Sequence, residues 1–499
     1  MDLGNFASLH HFVPEIILAA GMLIVVLADL AVADSPGGKR WLGHVALAFA
    51  LVALISMAFE PAMSGGWLFH RMLVFDSFAV FFRFLIGLAA VVGVWMSIGS
   101  REVRECDQGE YYAILLASTF AMFLMAESAN LLMAYLALEF VSLTSYVLTG
   151  FLRHNRRSLE AALKYLIYGG VASGTMIYGM SWIFGLTGSM DFVEINRTLT
   201  TPGHLPVLAV FIALVLILSG LGYKVASVPF HMWAPDVYTG APIPITTFLA
   251  IGSKAAGFAL LTRFFFPAIS RLATGGSWQA LAGVDWPQLL LIICIVTMTL
   301  GNLAALQQTN MKRLLAYSSI AQAGYALMGF VALSNEGLHA MLVYLFAYYV
   351  MDAGAFLVVM IVANSTGRED IEAYQGLAWR GGIVPAVALT IFLFSLTGIP
   401  LTVGFIGKFY IFAAVIRGKF YLLALIGVLN SVVSLGYYLK PVWTMFLREP
   451  KGDEAAITFD AWNYGLMGVL AVATILFGVY WAPISSFAGR SVNFFLGSA

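Results

Sequence analysis

Apolar runs of about 20 residues follow one another along the chain, and they constrain its fold more than any other feature. "EIILAAGMLIVVLADL", near the start, is one of them. An α-helix needs a run of about this length to cross the hydrocarbon core of a bilayer. Of the 499 residues, 61% are hydrophobic and 10% are charged, whereas about 25% are charged in soluble domains. The sequence therefore predicts an all-α integral membrane protein.

About fourteen membrane segments can be placed, and short connections join them. Prolines interrupt the seventh and the twelfth. The first segment lacks the basic start and the cleavage site of a secretory signal, so we expect it to be a membrane helix. The segments are 12–33, 41–59, 73–98, 111–126, 129–150, 159–186, 206–239, 243–266, 288–306, 313–334, 337–364, 383–416, 420–446 and 463–484.

Lysine and arginine are unevenly distributed between the loops on the two sides. Loops after odd-numbered segments carry the excess, as in "RHNRRS" (153–158) and "NMKR" (310–313). Because basic loops favour the cytoplasmic side of a membrane, this distribution predicts that both termini face outward.

The charge balance and the cysteines narrow the range of partners. The chain has 26 Lys and Arg against 26 Asp and Glu, so nothing in its charge indicates a nucleic-acid partner. Cys106 and Cys294 are too few for the thiolates of an iron–sulfur cluster and lack the spacing of a zinc site. We therefore expect no metal and no cofactor in this chain.

A shift of 179 residues aligns two parts of the chain without gaps. Segments 4–8 (111–270) and 9–13 (286–446) would then be two copies of five helices, preceded by segments 1–3 (1–110) and followed by segment 14 (447–499). Because five is odd, the second copy starts from the opposite side of the membrane, which gives an inverted repeat. The matching pairs are Tyr146 with Tyr325, Leu148 with Leu327, Gly150 with Gly329, Phe151 with Phe330, Tyr165 with Tyr344, Leu166 with Leu345, Val171 with Val350, Thr187 with Thr366, Gly188 with Gly367 and Asp191 with Asp370.

Each copy has one broken helix at its fourth position. Pro229 breaks the first, in "GYKVASVPFHMWAPDVYTGAP", and Pro400 breaks the second, in "SLTGIPLTVGFIGKFY". Interrupted helices in corresponding positions of two repeats indicate a transport site. The carbonyl groups freed at a break can bind water or a lysine ammonium.

Four lysines lie deep in the predicted segments or beside a helix break: Lys164, Lys224, Lys254 and Lys408. Each costs about 2.5–3.5 kcal/mol at a membrane centre, so they must face acids, water or polar backbone. Glu139 lies at mid-membrane without a basic neighbour in its own helix, so it is protonated or paired with another helix. The other candidate acids are Glu160, Asp236 and Asp352.

Several other polar groups have both a structural and a functional interpretation. Glu160 and Lys164 are spaced i, i+4, which suits a structural ion pair or a part of the transport path. His231 is either a packed histidine or a proton carrier. Arg83 either pairs with an acid or faces a partner, and Tyr348 is interpreted as a packing residue.

Together these residues predict a proton relay. While Glu139 pairs with Lys224, the lysine keeps its proton. When the pair opens, the proton can pass towards Lys254. His231 beside the first break and Lys408 after the second would extend the path.

Three stretches of the chain resemble a known family. They are "GYKVASVPFHMWAPDVYTGAP", "MKRLLAYSSIAQAGY" and "GIPLTVGFIGKFY". They are similar to subunit N of the proton-pumping NADH–quinone oxidoreductase (respiratory complex I), a family of antiporter-like membrane subunits, and the likeness covers essentially the whole chain. The resemblance implies fourteen helices in two inverted repeats around a hydrated proton channel. The relay positions of the family fall on Glu139, Lys224, His231, Lys254 and Lys408, and further charged positions fall on Glu160, Lys164 and Lys312.

The resemblance also implies partners and a location. NADH, FMN, iron–sulfur clusters and quinone would bind in partner subunits, which leaves this chain without a redox centre. Its partners would be other membrane subunits of the complex, including related antiporter-like ones, and the surrounding lipid. The location would be the bacterial inner membrane, with both termini on the periplasmic side.

Three alternatives stay open at this point. The chain could belong to a multisubunit cation/proton antiporter or to a membrane-bound hydrogenase, because the lysines and broken helices are common to the wider superfamily. It could also be a scaffold without a channel, although a scaffold has no need of aligned buried lysines.

Overall fold

The computed structural model describes residues 4–31, 39–59, 65–104, 106–201, 206–273, 277–450, 457, 460–494 and 496. Its strands form two short antiparallel hairpins, β1 (Gly66–Leu68) with β2 (Leu73–Phe75) and β3 (Ser270–Leu272) with β4 (Trp278–Ala280). The α-helices are α1 Asn5–Ser8, α2 Val13–Ala31, α3 Trp41–Ser56, α4 Ser77–Gly99, α5 Arg101–Arg104, α6 Gln108–Glu127, α7 Leu131–Thr149, α8 Arg156–Thr187, α9 Phe192–Thr200, α10 Val207–Val225, α11 Trp233–Gly240, α12 Ile243–Phe248, α13 Lys254–Phe265, α14 Trp286–Leu306, α15 Met311–Val331, α16 Asn335–Thr366, α17 Ile383–Thr397, α18 Val403–Arg417, α19 Tyr421–Leu447, α20 Ala461–Val479 and α21 Ala482–Arg490.

Twelve helical segments of the described chain are long and apolar enough to cross a membrane. α8 is also long, at 32 residues, but it carries charged side chains in its first turns. α17 and α18 together take the place of the broken twelfth segment. α8 is one further crossing, and α17 with α18 is another, which brings the crossings to the fourteen that the sequence predicts. The all-α membrane fold is therefore confirmed.

The internal repeat is visible in the backbone. α8 and α16 both have 32 residues, start 179 residues apart and end on a left-handed glycine, Gly188 or Gly367, with φ 69° in each. After these glycines the chain pairs with the start of an earlier helix, through Asn130 with Asp191 in the first copy and Asn310 with Asp370 in the second. The predicted correspondence between the copies therefore extends to their connections.

The two copies run in opposite directions. Asp236 in the first turn of α11 contacts Lys164 in α8 and Arg313 in α15, so α8 and α15 begin on the same side. α16 turns back from α15 after residues 332–334 and therefore begins on the opposite side. The inverted relation of α8 and α16 follows from these contacts.

Both predicted breaks are present, but each helix ends before its proline. α10 ends at Val225, where Ala226 adopts a left-handed conformation with φ 59°. α17 ends at Thr397, followed by Gly398 with φ 92°. Left-handed backbone ends a helix by turning its next residues away from the axis, so the local chain conformation and not the proline alone sets the position of each break.

Some elements differ from the sequence-based expectation. The third segment was expected from residue 73, but 73–75 form β2, and the helix begins after Asp76, whose carboxylate accepts a hydrogen bond from the Ala79 amide. The eighth segment contains a π-helical turn, Leu249–Ser253, directly before Lys254. Neither hairpin has a sequence pattern long enough to predict it.

The centre of the molecule is formed by α15, α16 and the α12–α13 helix, which are almost fully buried. α2, α3, α8 and α20 instead expose large apolar side chains, as lipid-facing helices do. This arrangement places the second-copy helices α15 and α16 against the lysine-bearing α12–α13 helix of the first copy.

Candidate functional site

Lys224 lies at the end of α10, beside the first break. Its side chain is buried, and its Nζ lies 3.5 Å from the Ser142 Oγ on α7. Glu139, one turn earlier on α7, is within electrostatic range of Lys224, and its Oε1 is buried without a hydrogen-bond partner. Among the described residues Lys224 makes no ion pair, so the structure shows the Lys224–Glu139 pair open.

The carbonyl groups at the end of α10 are used by neighbours other than Lys224. The Trp233 indole donates to the Tyr223 carbonyl at 3.0 Å, and the Ser227 amide donates to the Gly222 carbonyl at 2.9 Å. His231 lies within the break and is buried, with its Nδ1 lacking a hydrogen-bond partner. The expected contact between lysine and freed carbonyl is therefore absent at this break among the described residues.

Lys224 and Lys254 lie on adjacent helices. Gly257 on α13, three residues after Lys254, packs against the Lys224 side chain, and a Cβ at this glycine would lie 3.2 Å from the Lys224 Cγ. A glycine here allows α13 to approach the aliphatic part of Lys224 closely.

Lys254 begins a chain of hydrogen bonds that links the two repeats. Its Nζ donates to the Ser319 carbonyl at 2.7 Å and also to the Ser319 Oγ. The Ser319 Oγ lies 2.7 Å from the Tyr348 hydroxyl, which donates to the Asp352 Oδ2 at 3.0 Å. Asp352 is fully buried. A buried ammonium and a buried carboxylate are thus joined through two hydroxyl groups, each able to donate and to accept.

α15 carries further polar side chains towards the second break. The Ser318 Oγ lies 2.5 Å from the Tyr438 hydroxyl on α19. Gln322 donates to the Tyr438 hydroxyl and to the Leu396 carbonyl, at 3.1 Å each, and accepts a hydrogen bond from Tyr344. These groups lie between Ser319 and the end of α17.

The Lys408 side chain, on α18, reaches back to the second break. Its Nζ donates to the Thr397 carbonyl and to the Ser431 Oγ, at 2.8 Å each, and lies 4.5 Å from the centre of the Tyr325 ring. Thr397 is the last residue of α17, so here the expected contact between a lysine and a freed carbonyl is present. A cavity of about 680 Å³, lined mainly by apolar side chains of α18 and α19, adjoins the ammonium.

Some of the polar side chains described above lie at the two breaks or between them, and we call these the polar chain. Its members are Glu139, Ser142, Lys224, His231, Lys254, Ser318, Ser319, Gln322, Tyr344, Tyr348, Asp352, Lys408, Ser431 and Tyr438.

A second group of charges lies on the side where α8 and α15 begin. Lys164 pairs with Glu160 and with Asp236 at 2.8 Å each, and Arg313 pairs with Asp236 at 2.6 Å. The expected i, i+4 pair is present, but it belongs to a larger network that joins the two repeats. Lys312 nearby donates to the Ala241 carbonyl at 2.8 Å and pairs with Glu369 at 2.9 Å.

A polar cleft of about 690 Å³ lies on this side, and Lys312 and Glu369 line it. It is also bordered by the ends of α11 and α16. The cleft therefore opens the Lys312–Glu369 pair to this surface.

Sequence reasoning located the charged members of the polar chain and missed most of the uncharged ones. Tyr348, interpreted from the sequence as a packing residue, bridges Ser319 and Asp352. The signal was present in "YSSIAQAGY": Ser318, Ser319 and Gln322 lie within two turns of one apolar helix, and polar groups inside a membrane helix need partners.

The two inverted repeats, the broken helices and the buried lysines together define an antiporter-like membrane subunit. Residues 128–434 match the family described as "NADH:quinone oxidoreductase/Mrp antiporter, TM". NADH-quinone oxidoreductase subunit N of Anaeromyxobacter sp. (strain Fw109-5) is 44% identical over 99% of this chain and 98% of its own length. The same subunit of Chlorobium chlorochromatii (strain CaD3) is 43% identical over 98% and 96%. The chain belongs to the NADH-quinone oxidoreductase subunit N family.

A solved structure agrees with this assignment. A chain of respiratory complex I from Thermus thermophilus with bound Aureothin is 29% identical and superposes with a TM-score of 0.77. The match covers 95% of this chain and 98% of that one.

Proposed function

We propose that this chain translocates protons through the polar chain, as a membrane subunit of an NADH–quinone oxidoreductase. The observation that carries the proposal is the hydrogen-bonded path from Lys254 through Ser319 and Tyr348 to Asp352. Its two ends are ionisable and its middle is made of hydroxyl groups, so a proton can pass along it by exchange of donors and acceptors. A structural ion pair would not need two intervening hydroxyls.

The open Lys224–Glu139 pair gives the proposed path a switch. Lys224 holds its proton when the Glu139 carboxylate is close, and it gives the proton up when the two are apart in a water-poor site. In the structure Lys224 is held by Ser142, one turn from Glu139, so a side-chain movement along α7 can close the pair. His231 in the first break offers a further proton acceptor beside this switch.

Lys408 is the proposed far end of the path. Its ammonium reaches the second break from α18, with one carbonyl and one hydroxyl as hydrogen-bond acceptors. Gln322 and Tyr438 lie between it and Ser318. Glu160 and Lys164 lie outside this path, in the charged network on the side where α8 and α15 begin. We propose that they help to position α8 and α11.

The redox reaction belongs, in this proposal, to partner subunits. NADH, FMN, iron–sulfur clusters and quinone would be bound there, and this chain would contribute proton transfer alone. The names of the relatives and of the solved Thermus thermophilus complex support other membrane subunits as the partners. We further propose a bacterial inner membrane, with the Asp236 network on the cytoplasmic side, because the loops rich in lysine and arginine lie there.

The test compares single variants in the assembled complex, reconstituted in vesicles. Lys224→Ala, Lys254→Ala and Glu139→Ala should each keep NADH-dehydrogenase activity and assembly but lower NADH-driven proton uptake. Lys440→Ala is the matched control, because Lys440 donates to the Gln308 carbonyl, outside the polar chain. Normal proton uptake in the three assembled variants would contradict the proposal.

A cation/proton antiporter is the second candidate, because the matching family description includes the Mrp antiporter. Sodium-driven proton flux without NADH, in vesicles that contain this chain, would favour it. Proton flux that requires NADH oxidation and is indifferent to sodium would exclude it.

A further inference from the structure

Three hydrogen bonds at the second break form a closed triangle around Lys408. The Lys408 Nζ donates to the Thr397 carbonyl and to the Ser431 Oγ, at 2.8 Å each, and the Ser431 Oγ donates to the same carbonyl at 3.0 Å. Because the Ser431 hydroxyl gives its hydrogen to Thr397, its oxygen is left to accept from the ammonium. The position of Ser431 therefore decides whether Lys408 has its second acceptor.

α19, which carries Ser431, is a peripheral helix. Leu429 and Val432 on its outer face are 56% and 65% exposed, as lipid-facing side chains are. Between helices in lipid there is no hydrophobic driving force, so packing and interhelical hydrogen bonds determine how they associate. The rotation of α19 about its axis should therefore depend on the polar side chains of its buried face, which include Asn430, Ser434, Tyr437 and Tyr438.

Two buried asparagines join α19 to α14. The Asn302 Nδ2 donates to the Asn430 Oδ1 at 3.1 Å, and the Asn302 Oδ1 accepts from the Tyr437 hydroxyl at 3.0 Å. The Asn430 Nδ2 donates to the Thr299 Oγ1 at 3.2 Å and to the Ile426 carbonyl at 3.0 Å. Every polar atom of the two amides thus has a partner, and this arrangement favours one rotation of α19 against α14.

We propose that Asn302 and Asn430 are positioning residues for proton transfer, because they hold Ser431 at the Lys408 ammonium. Asn430 directly precedes Ser431 in α19, so a rotation of the helix that breaks the Asn302–Asn430 bond also moves the Ser431 hydroxyl. The inference rests on the proposed function, in which Lys408 is the far end of the path. The side chain of asparagine donates and accepts hydrogen bonds without titrating, so both residues act through Ser431 and carry no proton themselves.

The test is solid-state nitrogen NMR of the full chain in lipid, with isotopically labelled lysine side chains. Lys408→Ala identifies the Lys408 signal by removing it. Ser431→Ala should shift this signal, because the ammonium loses an acceptor. Asn430→Leu keeps a side chain of similar size without its hydrogen bonds, and it should shift the signal in the same direction. The double variant of Ser431→Ala with Asn430→Leu should shift it no further than Ser431→Ala alone, since both changes act on one contact.

Lys440→Ala is the matched control. Lys440 also joins α19 to α14, by donating to the Gln308 carbonyl at 2.9 Å, but it lies more than two helical turns after Ser431. Its replacement should leave the Lys408 signal unchanged. Asn302→Leu removes the same bond from the side of α14, so it tests the contact a second time and replaces Asn430→Leu if that variant does not fold.

Proton uptake by the assembled complex separates this inference from the proposed function. Asn430→Leu should lower NADH-driven proton uptake by no more than Ser431→Ala does, and the double variant should lose no more than the larger single loss. Normal uptake in Lys408→Ala would contradict the proposed far end of the path. The NMR shifts would still decide whether the asparagines position Ser431, because they do not depend on transport.

Three results would overturn the inference. One is a wild-type Lys408 signal in Ser431→Ala, which would mean that Ser431 is not its acceptor. Another is a wild-type signal in Asn430→Leu or Asn302→Leu although Ser431→Ala shifts it. The third is an equal shift in Lys440→Ala, which would mean that any loosening of α19 from α14 moves Lys408.

Discussion

At the scale of single residues, hydroxyl groups connect the charged members of the polar chain. Ser319 and Tyr348 lie between the Lys254 ammonium and the Asp352 carboxylate, and each hydroxyl can donate one hydrogen bond while accepting another. The lysines were predictable because a charge in a membrane is costly and therefore conspicuous in the sequence. Tyr348 was not, because a tyrosine in an apolar helix has the same appearance whether its hydroxyl bonds to a backbone carbonyl or to a carboxylate.

The neighbouring tyrosines on α16 allow the role of the Tyr348 hydroxyl to be tested. Tyr348→Phe keeps the ring but removes the hydroxyl between Ser319 and Asp352, so NADH-driven proton uptake should fall by roughly tenfold. That is less than a positioned proton-transfer group usually contributes, because a water molecule can partly replace the hydroxyl. Proton uptake would be measured in vesicles that contain the assembled complex.

Tyr349→Phe is the control for that substitution. The Tyr349 hydroxyl donates to the Leu88 carbonyl on α4 at 2.9 Å and takes no part in the polar chain. Equal losses of proton uptake in the two variants would mean that the Tyr348 hydroxyl has only a packing role.

At the scale of elements, the two breaks differ in how they use their lysine. Lys408 bonds to the carbonyl that ends α17, whereas the carbonyl groups at the end of α10 are taken by Trp233 and Ser227. Lys224 is therefore held by a neighbouring helix, and Lys408 is held by the broken helix itself. The first lysine is thus free to change partners without disturbing the break beside it.

Gly398 shows how closely the second break is fitted to its lysine. Gly398→Ala should lower stability by about 1–2 kcal/mol, because φ is 92° and side chains disfavour left-handed backbone. An added Cβ would also lie 2.8 Å from the Lys408 Cδ, so the lysine has to move and proton uptake should fall. Thermal unfolding and NADH-driven proton uptake measure the two effects.

Gly381→Ala separates strain from displacement of the lysine. Gly381 has a similar φ of 81°, but an added Cβ there meets no atom within 4 Å. It should lose a comparable amount of stability and keep proton uptake. If both variants lost proton uptake equally, backbone strain and not the position of Lys408 would be the cause.

The presence of both breaks could be predicted from the sequence, but the residue at which each helix ends could not. Pro229 and Pro400 mark both of them, since proline removes a backbone donor and clashes with the preceding helical turn. Ala226 adopts the left-handed conformation that ends α10, and alanine has no preference for it, so only tertiary packing explains that position. The π-helical turn before Lys254 likewise has no sequence signature.

At the scale of the whole molecule, the two repeats meet through polar contacts at two depths. Lys254 of the first repeat bonds to Ser319 of the second within the core. Asp236 of the first repeat pairs with Arg313 of the second at the side where α8 and α15 begin. Asp236 and Arg313 are about one-third exposed, so water screens their pair and it adds little stability. The buried contact therefore matters more for holding the repeats in register.

The inverted relation of the repeats predicts opposite accessibility of equivalent positions. Ser189 and Arg368 are 179 residues apart and follow the glycines that end α8 and α16. In a chain without its two native cysteines, Ser189→Cys should react with a membrane-impermeant thiol reagent added from the periplasmic side. Arg368→Cys should react only when the reagent has access to the cytoplasmic side. Labelling of both from one side would contradict the inversion.

The contact between Lys254 and Ser319 also has a consequence for how such a chain can evolve. A gene for one repeat alone would encode either a buried lysine without its acceptors or a buried aspartate without its counter-ion, and both are costly in lipid. An ancestral duplication therefore yields a viable product only when both copies assemble together. Exchange of one copy for that of a relative should likewise succeed only where the polar positions of α13 and α15 remain matched.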